Sequence, residues 1–92
     1  MKKHIIITGK VQGVGFRYWL QKAALQSNVT GWVRNKISGE VAAVLIGDDV
    51  ELDNLIRLCE KGPASSKVTK IKVQNYQEEF TKESFNIIND DG

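Results

Sequence analysis

From His4 to Thr8 the chain is a run rich in β-branched residues, and from Phe16 onward apolar residues return at helical spacing through Leu20, Ala23 and Ala24. One strand must therefore hand over to one helix within Gly9-Lys10-Val11-Gln12-Gly13-Val14-Gly15. The glycines let the backbone turn sharply and approach a ligand closely. The first turn of the following helix offers N–H groups without intrahelical acceptors and with a partial positive charge. Arg17, one residue into that turn, adds a fixed charge with forked donors. Together these features describe a cradle for a small anion, although a glycine-rich turn before a helix is, taken alone, most often only a turn.

The remaining elements follow from the same patterns. The helical spacing predicts a helix over 16–26, with Ser27-Asn28 as its stop because Asn tolerates the left-handed conformation. A strand over 29–34, a turn at Asn35-Lys36-Ile37-Ser38-Gly39 and a second β-rich run over 40–46 read as a hairpin. Asp48 with Glu51 three residues later resembles a capping box, after which Leu52, Leu55, Ile56 and Cys59 share one helical face. Gly62-Pro63 ends that helix, a strand follows over 68–73, and a short one over 84–88 comes after a polar loop around Glu78 and Glu79.

This order, β-α-β-β-α-β with a short strand appended, predicts an α+β ferredoxin-like sandwich: an antiparallel sheet with two helices on one face. The crossover helix makes the first two of its strands parallel, with the third between them. The glycine loop and Asn35 then lie at the same sheet edge, two strand spacings or roughly 10 Å apart. An arginine and an asparagine can close that gap on a small ligand.

Composition narrows the function. With 92 residues the chain is expected to form one domain over 1–92 with a single modest core. A net charge of +2, with basic residues dispersed among nearly as many acids, lacks the dense patch of a nucleic-acid binder. Cys59 is the sole cysteine and can form no internal disulfide, no run approaches membrane-spanning length, and Met1-Lys2-Lys3 leads into too few apolar residues for a signal peptide. A cytoplasmic monomer without membrane association is the expectation.

The run Gly9-Lys10-Val11-Gln12-Gly13-Val14-Gly15-Phe16-Arg17 resembles the first signature of the acylphosphatases, and Gly31-Trp32-Val33-Arg34-Asn35 with Gly39, Val41 and Gly47 resembles the second. The Gly62-Pro63 turn with Ser66-Lys67-Val68, and the closing Ser84-Phe85-Asn86-Ile87, extend the likeness over nearly the whole chain. The resemblance implies a small hydrolase that cleaves an acyl phosphate into a carboxylate and inorganic phosphate, with no metal, cofactor or covalent intermediate. It implies that Arg17 and the backbone N–H groups of Gly13, Val14, Gly15, Phe16 and Arg17 hold the phosphate, and that Asn35 positions the attacking water. Inorganic phosphate, the product, is then expected to inhibit competitively. Similar domains open large hydrogenase-maturation proteins that handle carbamoyl phosphate; this chain is expected to stand alone. It departs from many members in carrying Ala42 and Ala43 where a glutamate is frequent, and Lys36 where a hydroxyl residue follows the asparagine. Neither departure touches Arg17 or Asn35.

The chemistry agrees with these residues. A carboxylate leaving group, whose conjugate acid has a pKa of about 4, needs no general acid. A phosphate oxygen can take the proton of the water, so the lack of a catalytic His or carboxylate in both motifs is expected. Rival readings fail on particular positions. A nucleotide-binding P-loop requires a closing Gly-Lys-Ser/Thr, a dinucleotide fingerprint requires glycine where Tyr18 stands, and cysteine-dependent phosphatases require a thiolate in the loop. The rival from another class is an RNA- or small-anion-binding module of the same fold without catalysis. For RNA its stacking aromatics would sit on the central strands, where Ile5-Ile6-Ile7 and Val41-Ala42-Ala43-Val44 supply none, so no nucleic-acid partner is expected. Phe16, Trp32 and Cys59 read as core residues, and Arg34 as a solvated charge on the strand face opposite Asn35. His4 is expected to hold no metal and move no proton, and Gly39 and Gly47 to serve turns.

Overall fold

The computed structural model describes residues 1–76 and 83–90; the polar loop around Glu78 and Glu79 and the final Asp91 and Gly92 lie outside the described residues. The elements are β1 (Lys2–Lys10), α1 (Phe16–Gln26), β2 (Thr30–Asn35), β3 (Val41–Ile46), α2 (Asp49–Lys61), β4 (Lys67–Asn75) and β5 (Phe85–Ile87). They build a five-stranded sheet in the order β4-β1-β3-β2-β5, the ferredoxin-like plan expected from the sequence. β1 and β2 each pair antiparallel with β3 and so run parallel to one another on either side of it. β5 adds parallel to β2, which makes the sheet mixed rather than purely antiparallel.

Strand alternation decides which residues the helices cover. Ile5 and Ile7 on β1, Val33 on β2 and Val41, Ala43 and Leu45 on β3 join Phe16, Leu20 and Ala24 of α1 and Leu52, Leu55 and Cys59 of α2 in one core cluster. Each large aliphatic side chain fully buried there contributes about 1.5–3 kcal/mol. α1 packs over β2 and β5, α2 over β4. Among the described residues, no helix is long and apolar enough to cross a membrane.

The helix ends follow the local chemistry with one exception. Asn28 takes φ 57° after α1, as the stop signal requires, and the Val29 N–H returns to the Ala24 carbonyl at 2.9 Å. Gly62 closes α2 by donating its N–H to the Leu58 carbonyl at 2.9 Å. Asp48 does occupy the N-cap of α2, but its side chain makes no capping hydrogen bond. The capping box is replaced by the acids Asp49 and Glu51 in the first turn, which favour the helix start through its dipole.

The second sheet face corrects two side-chain expectations. Because Val33 points to the helices, Trp32 points away from them and lies outside the core cluster. It packs edge-on against His4 at 6.2 Å between ring centroids, and His4 stacks on Tyr76 at the same distance. Register places His4 and Trp32 on either side of Val44, which their rings help to bury completely. Arg34 is not merely solvated: its guanidinium lies 5.5 Å over the Trp32 ring and its Nε donates to the Asn89 carbonyl at 3.0 Å.

Burial in this cluster, followed by the charge of Lys36, holds the His4 imidazole below its ordinary pKa of 6.5. The unfolded chain therefore binds a proton more readily than the folded one. The contribution of His4 to stability is complete above about pH 6.5 and is lost as the pH falls through the range between the two values. The urea midpoint is expected to be lower at about pH 5.5 than at about pH 7.5, and His4→Gln to remove most of that difference. An equal pH dependence in the variant would count against this assignment.

Candidate active site

The glycine loop after β1 meets the start of α1 under an unusual local constraint. Gly13 and Gly15 take φ 73° and 79°, a left-handed conformation that costs other residues about 1–2 kcal/mol. Gly15 is the N-cap of α1 and makes no side-chain cap, having no side chain. The Trp19 N–H donates to the Gly15 carbonyl at 3.0 Å, so the N–H groups of Phe16, Arg17 and Tyr18 precede the first intrahelical bond and have no intrahelical acceptor. No acidic residue stands in the first turn to compete for them. Val11 and Phe16, both buried, anchor the two sides of the loop in the core.

Asn35 enters from the other direction as the last residue of β2, in register with Val41. The topology brings the two strand ends together: Val11, Gly13, Gly15, Phe16, Arg17, Tyr18 and Asn35 line one cavity of about 160 Å³. A water molecule occupies about 30 Å³ of liquid, so the space admits a small anion rather than a large ligand. Among the residues singled out in the sequence, Gly13, Gly15, Phe16, Arg17 and Asn35 meet here. Val14 does not line the cavity; it packs, partly buried, against the core. A larger groove of about 360 Å³ between α2 and β4, lined by Ile56, Val68, Ile71, Glu60 and Lys70 among others, has neither exposed helix-start amides nor a guanidinium.

The other candidates for chemistry fall away on their surroundings. Cys59 is completely buried in the core, and burial pushes its thiol up to about 12, far from the reactive thiolate range. His4 sits in the ring cluster on the helix-free face. Among the described residues, no group of three or more His, Cys, Asp or Glu side chains is placed to hold a metal ion.

Three residues at this edge were not singled out by the sequence. Tyr18, 72% exposed, forms part of the cavity wall. Gln12 stands within the first motif, but nothing in the motif says where its amide points; it donates to the Lys36 and Glu40 carbonyls at 2.7 and 2.8 Å. Asp90 carries no sequence signal at all, since it reaches Arg17 only through the path of the chain after β5.

Comparisons with known proteins identify relatives along nearly the whole chain. The family model described as Acylphosphatase matches residues 3–87. An acylphosphatase of Moorella thermoacetica is 38% identical over 87 residues, covering 95% of this chain and 92% of its own. The crystal structure of acylphosphatase from Bacillus subtilis superposes with a TM-score of 0.90 at 34% identity, covering 95% of this chain and 97% of that one. An acylphosphatase from Coxiella burnetii gives a TM-score of 0.89 at 30% identity, over 95% of this chain and 90% of that one.

The segment after β5 brings a carboxylate to Arg17. The Ile88 N–H donates to the Val33 carbonyl at 3.0 Å, Arg34 holds Asn89, and Arg17 Nη1 lies 3.2 Å from Asp90 Oδ1. Both partners are open to water, with Arg17 34% and Asp90 63% exposed, so the pair is worth about 1 kcal/mol or less. An anion that takes the same Nη1 donor would compete with this carboxylate. Asp90→Asn is expected to tighten the binding of inorganic phosphate by about two- to fivefold, read from a chemical-shift titration. Unchanged or weaker binding would show that the carboxylate does not oppose the anion.

Proposed function

The chain belongs to the acylphosphatase family, hydrolases of acyl phosphates, and from this premise we propose that loop 13–17 and Arg17 hold the phosphoryl group while Asn35 positions the attacking water. The observation that carries this assignment is the single small cavity lined by Gly13, Gly15, Arg17 and Asn35 together.

Binding comes first. The phosphoryl oxygens accept hydrogen bonds from the free N–H groups at the start of α1, where the helix dipole is positive, and from the guanidinium of Arg17. Gly13 and Gly15 leave the space over the loop open, since a Cβ at either position would meet nothing within 4 Å. Phosphoryl transfer requires mainly alignment and stabilisation of charge on the equatorial oxygens, and these donors are fixed in place before the substrate arrives.

The attack then depends on where the water stands. The Asn35 carboxamide carries both a donor and an acceptor, so it can orient a water without taking its proton. The water adds to phosphorus as the bond from phosphorus to the acyl oxygen breaks in line. The electron pair of that bond leaves with the carboxylate, and a non-bridging phosphate oxygen accepts the water proton. No side chain changes its protonation state in this route. The products are a carboxylate and inorganic phosphate, and the latter fits the same cradle as a competitive inhibitor.

Two substitutions separate the roles. Arg17→Ala is expected to lower kcat/KM for benzoyl phosphate by about a hundredfold or more, the loss of about 3 kcal/mol that accompanies removal of an oxyanion donor. Asn35→Ala is expected to lower kcat by about ten- to a hundredfold while leaving the inhibition constant for inorganic phosphate within about threefold of the parent. Activity confined to a simple phosphate monoester, or a parent rate in either variant, would overturn the assignment.

A further inference from the structure

The two halves of the site belong to separate pieces of chain, and Gln12 ties them together. Its side-chain Nε2 donates to the carbonyl oxygen of Lys36 at 2.7 Å and to that of Glu40 at 2.8 Å. These two carbonyls stand on either side of the β2–β3 turn. Each already accepts a bond of the turn itself: the Lys36 N–H reaches the Glu40 carbonyl at 2.8 Å, and the Gly39 N–H reaches the Lys36 carbonyl at 3.0 Å. A carbonyl oxygen has two lone pairs, and Gln12 takes the second of each. The turn begins directly after Asn35, and Gln12 directly precedes Gly13 of the loop.

From this geometry we infer that Gln12 is a positioning residue, whose amide sets the distance between loop 13–17 and Asn35, and hence between the phosphoryl group and the attacking water. The inference rests on the roles proposed above for the loop and for Asn35. Gln12 itself does not line the cavity, so its effect passes through the residues it holds. A second set of bonds works in the same direction from the other side of the turn, where Glu40 accepts from Thr8 of β1 at 3.2 Å and from Ser38 at 2.9 Å. That set reaches the strand before the loop, whereas Gln12 reaches the loop. Losing Gln12 therefore leaves the hairpin paired with the sheet and the loop anchored by Val11 and Phe16, but frees one to shift against the other. A shift of about 1 Å between reacting groups is enough to cost a hundredfold in rate, whereas phosphate binding within the loop has no need of the hairpin.

The test uses Gln12→Met, which keeps the shape and removes both donors, and Gln12→Asn, which keeps the amide but withdraws it by one methylene. With benzoyl phosphate, kcat is expected to fall about tenfold in the Met variant and less in the Asn variant, with the inhibition constant for inorganic phosphate within about threefold of the parent in both. If Gln12 acts through Asn35, placing either substitution in an Asn35→Ala background lowers kcat by less than about twofold further. A loss that multiplies undiminished with Asn35→Ala would overturn the inference, as would a parent-like kcat or a matching loss of phosphate affinity. The Asn variant carries the same test if the Met variant fails to fold. A parent rate in Asn35→Ala alone would instead remove the role of Asn35, and this coupling with it.

Discussion

The burial of β3 on both of its faces is the constraint from which the site follows. Val41, Ala43 and Leu45 point into the helix-covered core, while Ala42 and Val44 are closed off on the other side by the neighbouring strands and by the rings of His4 and Trp32. A strand that apolar is most stable at the centre of the sheet. With β1 and β2 fixed on either side of it and parallel, the residues that follow β1 and those that end β2 emerge at one edge. The cradle and the asparagine become neighbours because hydrophobic burial leaves the sheet no better order of strands. Gly31 permits the close approach of β2 to β3, since a Cβ there would come within 1.9 Å of the Val44 carbonyl oxygen.

At that edge the electrostatics are simple. The start of α1 has amides without intrahelical acceptors, the Arg17 guanidinium and no acid of its own in the first turn. The carboxylate that approaches comes from Asp90, at the far end of the chain, and holds Arg17 by a pair open to water. Such a pair is weak, so under the proposed function a doubly charged phosphoryl group would displace it at small cost. The buried thiol of Cys59 and the ring-packed imidazole of His4 lie elsewhere. Their chemistry belongs to packing and stability.

Legibility in the sequence tracked the range of the interaction. The helix over about 16–26 is readable because spacing and the stop at Asn28 are local facts. The loop geometry was readable because glycines mark a backbone that other residues avoid. Trp32 reads as a core residue from its size, but strand alternation leaves open which phase faces the helices, and Val33 occupies that phase. Arg34 became a clamp for Asn89 because of a chain path that begins more than fifty residues later. The parallel pairing of β5 with β2 likewise depends on where the end of the chain returns, which neither strand encodes.

Short stretches of sequence are enough to fix the menu of elements, the glycine-rich strand-to-helix turn over residues 9–17 and the family. These rest on periodicity, on glycine conformation and on charge type, which are properties of short stretches. Only the packed fold brings Arg17 and Asn35 to one small cavity, spans the Gln12 amide from the loop to the hairpin, and sets Asp90 beside the guanidinium. Each of these is a contact between segments distant along the chain. Their partners are chosen by the packing of helices on the sheet and by the course of the connecting loops, and local sequence does not specify either.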